Sequence, residues 1–142
     1  MAGYSGTPLW KKLGYRDGLA AWVKNAPTIY VPLLNLPREI SVTWVARPNR
    51  GIGFVHLFAT AKSDLEKELH LLRKQLDPAG TVWISWPKKT AGVSTDITED
   101  VIRQVALPLG FVDIKVCAVN EVWSGSKLVI RKELRPGSRL SR

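Results

Sequence analysis

Short apolar blocks alternate along this chain with stretches in which apolar residues recur every third or fourth position. LAAWV at 19–23, ISVTWVA at 40–46, IGFVHLFA at 52–59, TVWISW at 81–86, FVDIKVCAV at 111–119 and SKLVIRK at 126–132 read as strands. Their apolar runs are nearly continuous, as expected of strands buried on both faces. Between them, Leu65, Leu69, Leu72 and Leu76 fall on one helical stripe, and Ile97, Val101, Val105 and Leu109 on another.

Local signals mark the ends of these elements. Thr7-Pro8 opens a short helix, with Thr7 as cap and Pro8 at the first position, and Gly14 suits its left-handed end. A short helical piece is expected around 28–35, broken by Pro32 and Pro37. Ser63-Asp64-Leu65-Glu66 has the pattern of a capping box, and Asp96-Ile97-Thr98-Glu99 repeats it. Asp77-Pro78-Ala79-Gly80 reads as a turn. Pro108 should end or bend its helix near Ala106. The link NEVWSG between the last two strands is too short for a crossover helix, so those strands should be antiparallel neighbours. The fold class that follows is α/β: a mainly parallel sheet of about six strands with a C-terminal antiparallel hairpin and helices on both faces.

Composition changes this picture little. With 142 residues the chain makes one domain, expected over 1–132, with a basic and flexible tail over 133–142. The single cysteine, Cys117, excludes an internal disulfide and reads as a small buried thiol. One Cys and two His supply no zinc spacing, so no metal is expected. The opening MAGYSGTPLWKK lacks a signal-peptide core, and no apolar stretch approaches membrane length. A cytoplasmic protein with no membrane partner is the expectation. The net charge of +9 favours acidic partners. Nucleic acid is not favoured, because no RNA- or DNA-binding motif accompanies the charge.

GYSGTPLWKKLG at 3–14, SWPKKTAGVSTDITEDVIR at 85–103 and GFVDIKVCAVNEVWSGSKLVIRK at 110–132 resemble a family of small bacterial proteins classed as a domain of unknown function. The resemblance covers about 3–132. The arrangement of elements is similar to the class I methyltransferase fold, a degenerate Rossmann type. That likeness implies a glycine-rich turn after the first strand, an acidic residue after the second and, in amino-methylating enzymes, an Asn-Pro-Pro or Asp-Pro-Pro tract after the fourth. This chain has Lys24-Asn25-Ala26-Pro27, Ala46-Arg47-Pro48 and Ala59-Thr60-Ala61-Lys62 there. A backbone that must approach a ligand needs glycine, so no cofactor is expected.

The candidate site is the loop Trp86-Pro87-Lys88-Lys89-Thr90-Ala91-Gly92-Val93-Ser94-Thr95, which leaves a central strand and enters a helix. Lys88 and Lys89 with the hydroxyls of Thr90, Ser94 and Thr95 suit an anionic small molecule or an acidic partner at a helix N-terminus. The spacing of a P-loop is absent. Tyr4, Ser5, Trp86, Trp123 and Ser124 are further cleft candidates, each combining or adjoining a ring and a hydroxyl. His56 reads as a hydrogen-bonded core histidine and His70 as a surface residue. Trp22, Trp44, Trp83 and Trp86 suggest core or a cleft wall, and Trp10 an exposed contact surface. No catalytic residue can be named, and oligomeric state is open.

Overall fold

The computed structural model describes residues 6–136. The order of elements is α1 (Leu9–Leu13), β1 (Leu19–Lys24), α2 (Tyr30–Leu34), β2 (Val42–Trp44), β3 (Ile52–Phe58), α3 (Lys62–Gln75), β4 (Leu76–Pro87), α4 (Glu99–Leu109), β5 (Phe111–Ala118) and β6 (Trp123–Ile130). Six strands form one sheet in the order β2-β1-β3-β4-β6-β5. The first four are parallel, and β6 inserts antiparallel between β4 and β5. The sheet is thus mainly parallel with an antiparallel C-terminal pair, as the short NEVWSG link requires.

Two apolar layers sandwich the sheet. On one face α3 and α4 pack Leu65, Leu69, Leu72, Ile102 and Val105 onto Val55, Val82, Ile84 and Trp86. On the other, Leu13 of α1 and Tyr30 and Leu34 of α2 meet Phe54, Phe58 and Trp83. Alternation along β4 splits the tryptophans: Trp83 faces one layer and Trp86 the other. Gly125 lies opposite Ser85, and a Cβ there would stand 3.3 Å from the Trp83 ring. A side chain at this position of WSG would need the Trp83 ring and Val119 to give by a few tenths of an ångström.

Several local expectations are corrected. Helix α1 begins one residue late, with Pro8 rather than Thr7 at its cap. Pro32 does not break α2. It sits in the first turn, where its missing N–H has no intrahelical partner. The Ser63 capping box does not form, since α3 already begins at Lys62 with Ala61 as its cap. Its N-terminus is capped from across the sheet edge: the Lys62 N–H donates to Asp96 Oδ1 at 2.7 Å. Asp96 is consequently not the cap of α4. Thr98 is, accepting from the Val101 N–H at 3.2 Å. Pro108 neither ends nor shortens α4, which runs on to Leu109 with Pro108 on its exposed side. The buried stripe of α4 is Ile102, Val105 and Ala106, with Val101 half-buried and Ile97 buried ahead of the helix. Residues 77–80 stay within β4, but pairing with β3 jumps from Leu76 to Thr81. The expected turn is a bulge, closed by Ala79 N–H to Asp77 Oδ1 at 2.8 Å. Trp10 is half-buried against the α1–α2 layer, Cys117 is half-buried, and Trp44 is 39% exposed. At the end of the described chain, Lys132–Leu134 form a 3-10 turn and Arg135 Nε donates to the Ile130 carbonyl at 2.8 Å. The rest of the expected tail lies outside the described residues.

Candidate functional site

In a parallel α/β sheet the strand carboxyl ends and the loops leaving them form the ligand-binding edge. Two depressions occur at that edge here. The first lies where the direction of winding reverses, since the chain leaves β1 toward β2 and returns to β3 on the far side of β1. Lys24 and Asn25 end β1 there, Phe58 and Ala59 end β3, and Asp64, Lys67 and Glu68 descend from α3. Its volume is about 140 Å³. An ion pair from Lys24 to Glu68 spans it, with the Glu68 side chain 15% exposed. Asn25 takes the left-handed conformation, φ 60°, so the turn keeps the geometry glycine favours while adding a side chain.

The second depression is an open groove of about 660 Å³ at the end of β4. The loop predicted from sequence builds half of it. Trp86 forms the floor, 8% exposed, and Lys88 and Lys89 form one lip. Ser124 lines it because β6 pairs Ser124 with Trp86. Thr95 reaches the rim, but its hydroxyl is committed, donating to the Thr60 carbonyl at 2.6 Å and accepting from the Ile97 N–H at 3.1 Å. Thr90 and Ser94 are exposed and do not line the groove. Trp123 is on the opposite face of the sheet, edge-on to Phe58 at 5.1 Å between ring centroids. Tyr4 and Ser5 lie outside the described residues.

The far wall belongs to α4, whose N-terminus the sequence placed at the site without these side chains. Thr98, Glu99, Asp100 and Arg103 line it. Arg103 donates to Asp113, Glu99 and Asp100 at 2.9, 2.7 and 3.1 Å. The hydrogen bond to Asp113 and its charge, then Glu99, hold the guanidinium still more firmly in its charged form. The Glu99–Arg103 and Asp100–Arg103 spacings are legible as helix pairs; Asp113 is not, because the contact depends on how α4 packs beside β5. The groove therefore has a cationic lip and an acidic far wall. Lys88 and Lys89 have no partner among the described residues. The N-terminus of α4 is already served by Thr98 and by two acidic side chains in its first turn.

A third cluster is sealed inside. His56, 0% exposed, meets the Tyr30 hydroxyl through Nδ1 at 2.7 Å and Ser85 Oγ through Nε2 at 2.7 Å. Tyr30 in turn bonds Tyr15 at 2.7 Å. Burial lowers the His56 pKa to about 3, so the ring is neutral. Core histidine is the reading the structure supports: Ser85 is a partner, yet both groups are buried away from any groove. The pairing was hidden in sequence, since His56 and Ser85 meet only through the register of β3 on β4.

No protein-family model matches the chain, and no curated protein sequence matches it either. Solved structures do. A SAM-dependent methyltransferase from Aquifex aeolicus matches with TM-score 0.65 at 14% identity, over 87% of this chain and 88% of that one. The chain has a methyltransferase-like fold. Magnesium protoporphyrin IX methyltransferase from Synechocystis with bound SAM matches at TM-score 0.56 and 10% identity, over 87% and 74% of the two chains. LepI in complex with SAM matches at TM-score 0.54 and 12% identity, over 88% of this chain and 47% of LepI. At these identities the likeness concerns fold.

The fold implies S-adenosylmethionine, and the residues at the β1–β3 crevice do not fit it. Sites for ligands of that size run to roughly 300–1,000 Å³, and this crevice, at about 140 Å³, is bridged by Lys24 and Glu68. Arg47 follows β2 where an acid would be expected to hold ribose hydroxyls.

Proposed function

We propose that the protein is a binding domain on a methyltransferase-like scaffold, and that its ligand is a small organic anion held at the end of β4. The observation that carries this reading is the open groove with Lys88 and Lys89 on its lip and no partner for either among the described residues. The acidic wall of Glu99 and Asp100 narrows the ligand. Its anionic group belongs at the lysine lip, and its other end should carry hydrogen-bond donors or a positive charge. Trp86 and Ile97 supply an apolar floor between the two. No accessible nucleophile paired with a base lines the groove among the described residues, which supports binding rather than turnover.

Phosphate, sulfate or a nucleotide should raise the melting temperature, because a ligand that binds only the folded state stabilises it by mass action. High salt should weaken the effect. A Lys88→Ala, Lys89→Ala double variant should lose nearly all of it while its unliganded stability stays within about 0.5 kcal/mol of wild type. An equal shift in wild type and variant would end the reading. A second reading, an enzyme acting on its ligand, is favoured by the likeness to SAM-dependent methyltransferases across most of the chain. It requires S-adenosylmethionine to bind.

A further inference from the structure

Parallel strands in one sheet ordinarily need a crossover of about a dozen residues or more, usually with a helix. The β2-to-β3 crossover here is shorter, residues 45–51, and contains no helix. It is a strap with a bend at 46–47 and a turn at 50–51, where the Ile52 N–H bonds the Asn49 carbonyl at 3.0 Å, and it borders Trp22 and α3. Val45 N–H bonds the Ala21 carbonyl at 2.9 Å and Gly51 N–H the Gln75 carbonyl at 2.7 Å, which pins the strap at both ends. Trp22 beneath the strap is 9% exposed, and Lys24 Nζ lies 5.9 Å from its ring centroid. The strap leaves a groove of about 330 Å³ between Arg47-Pro48 and α3.

The groove pairs an apolar floor with unbalanced positive charge. Trp22 and Leu72 form the floor, and Leu71, 51% exposed, forms a wall. Lys24, Arg47 and Lys67 line it against one carboxylate, Glu68, and that carboxylate is engaged by Lys24. Arg47 and Lys67 have no partner among the described residues. We propose that this groove is a second binding site, for a compact aromatic anion such as an aryl phosphate, with its ring on Trp22 and Leu71 and its charge at Arg47 and Lys67. An inorganic ion would leave the apolar floor unused. One aromatic ring fits the lower end of ligand-pocket sizes, roughly 300 Å³. The guanidinium of Arg47 adds a planar fork suited to phosphate oxygens.

The probe is phenyl phosphate, titrated into the full chain and read by calorimetry and by indole N–H resonances, with the Trp22 signal assigned from Trp22→Phe. The expected result is a shift of the Trp22 indole and an affinity at that site that falls about tenfold or more in Arg47→Ala, Lys67→Ala. Lys88→Ala, Lys89→Ala should leave the Trp22 shift intact, which separates this site from the groove at β4. The variant Lys67→Arg, which keeps both the charge and the Arg47 guanidinium, should retain binding and controls for a folding defect. Inorganic phosphate alone should leave the Trp22 indole in place. An unmoved Trp22 indole with phenyl phosphate, or a shift that survives loss of Arg47 and Lys67, overturns the proposal.

Discussion

The two depressions at the carboxyl edge of the sheet differ in one respect on which the proposed binding site rests. At the β1–β3 reversal, where this fold offers a ligand its natural place, the cationic and anionic side chains face each other and bond, closing a crevice of about 140 Å³. At the end of β4, the acids of the far wall are taken up by Arg103, and the lysines opposite have no partner among the described residues beside about 660 Å³ of open groove. Both carry mixed charge. What separates them is whether opposite charges can reach one another across the gap, and a scaffold can move its ligand site by that means without changing its fold.

The largest test of the contrast acts through α3, which carries Glu68 over the crevice. Leu69, the neighbour of Glu68, is 0% exposed against the sheet. Leu69→Ala should cost about 2–5 kcal/mol, the range for a buried leucine whose site does not collapse. A denaturant midpoint near wild type would mean that α3 is not the rigid wall that keeps the crevice shut.

A smaller effect follows from His56, on the strand whose end forms one side of the crevice. Its pKa lies near 3 in the folded protein against an ordinary value of 6.5, because burial disfavours the charged ring. The unfolded chain therefore binds the extra proton first. Stability is fully present above about pH 6.5 and falls as pH drops toward the folded value. Between pH 6 and 5, before most carboxylates titrate, the loss should be about 1 kcal/mol per pH unit. His56→Gln should flatten that slope. An unchanged slope would show that the ring is hydrated and that the core beneath the crevice is looser than the hydrogen bonds to Tyr30 and Ser85 imply.

The strands and the antiparallel end were legible because each depends on short-range pattern: continuous apolar runs, and a link too short to cross over. The groove was half legible for the same reason. Trp86, Lys88, Lys89 and Ser124 adjoin strands that could be read, and the pairing of β4 with β6 brings Ser124 beside Trp86. Asp96 shows what pattern misses. Its spacing from Glu99 matches a cap for its own helix, yet its carboxylate serves Lys62 on another helix. Thr90 and Ser94 share the composition of the site but not its direction, because the 3-10 turn at Lys89–Ala91 carries them into solvent. The contact of Arg103 with Asp113 and the crossover strap depend on which elements become neighbours, and nothing local encodes that.

The central claim is that the groove at β4, and not the closed crevice at the β1–β3 reversal, takes the place that S-adenosylmethionine would have in this fold. The most direct test is S-adenosylmethionine titrated into the wild-type chain, followed by calorimetry and by backbone amide resonances. The account predicts no heat of binding and no movement of Lys24, Asn25 or Ala59 up to about 1 mM, the concentration at which a ligand worth roughly 4 kcal/mol would half-saturate its site. A micromolar dissociation constant, with those amides shifting together, would contradict it.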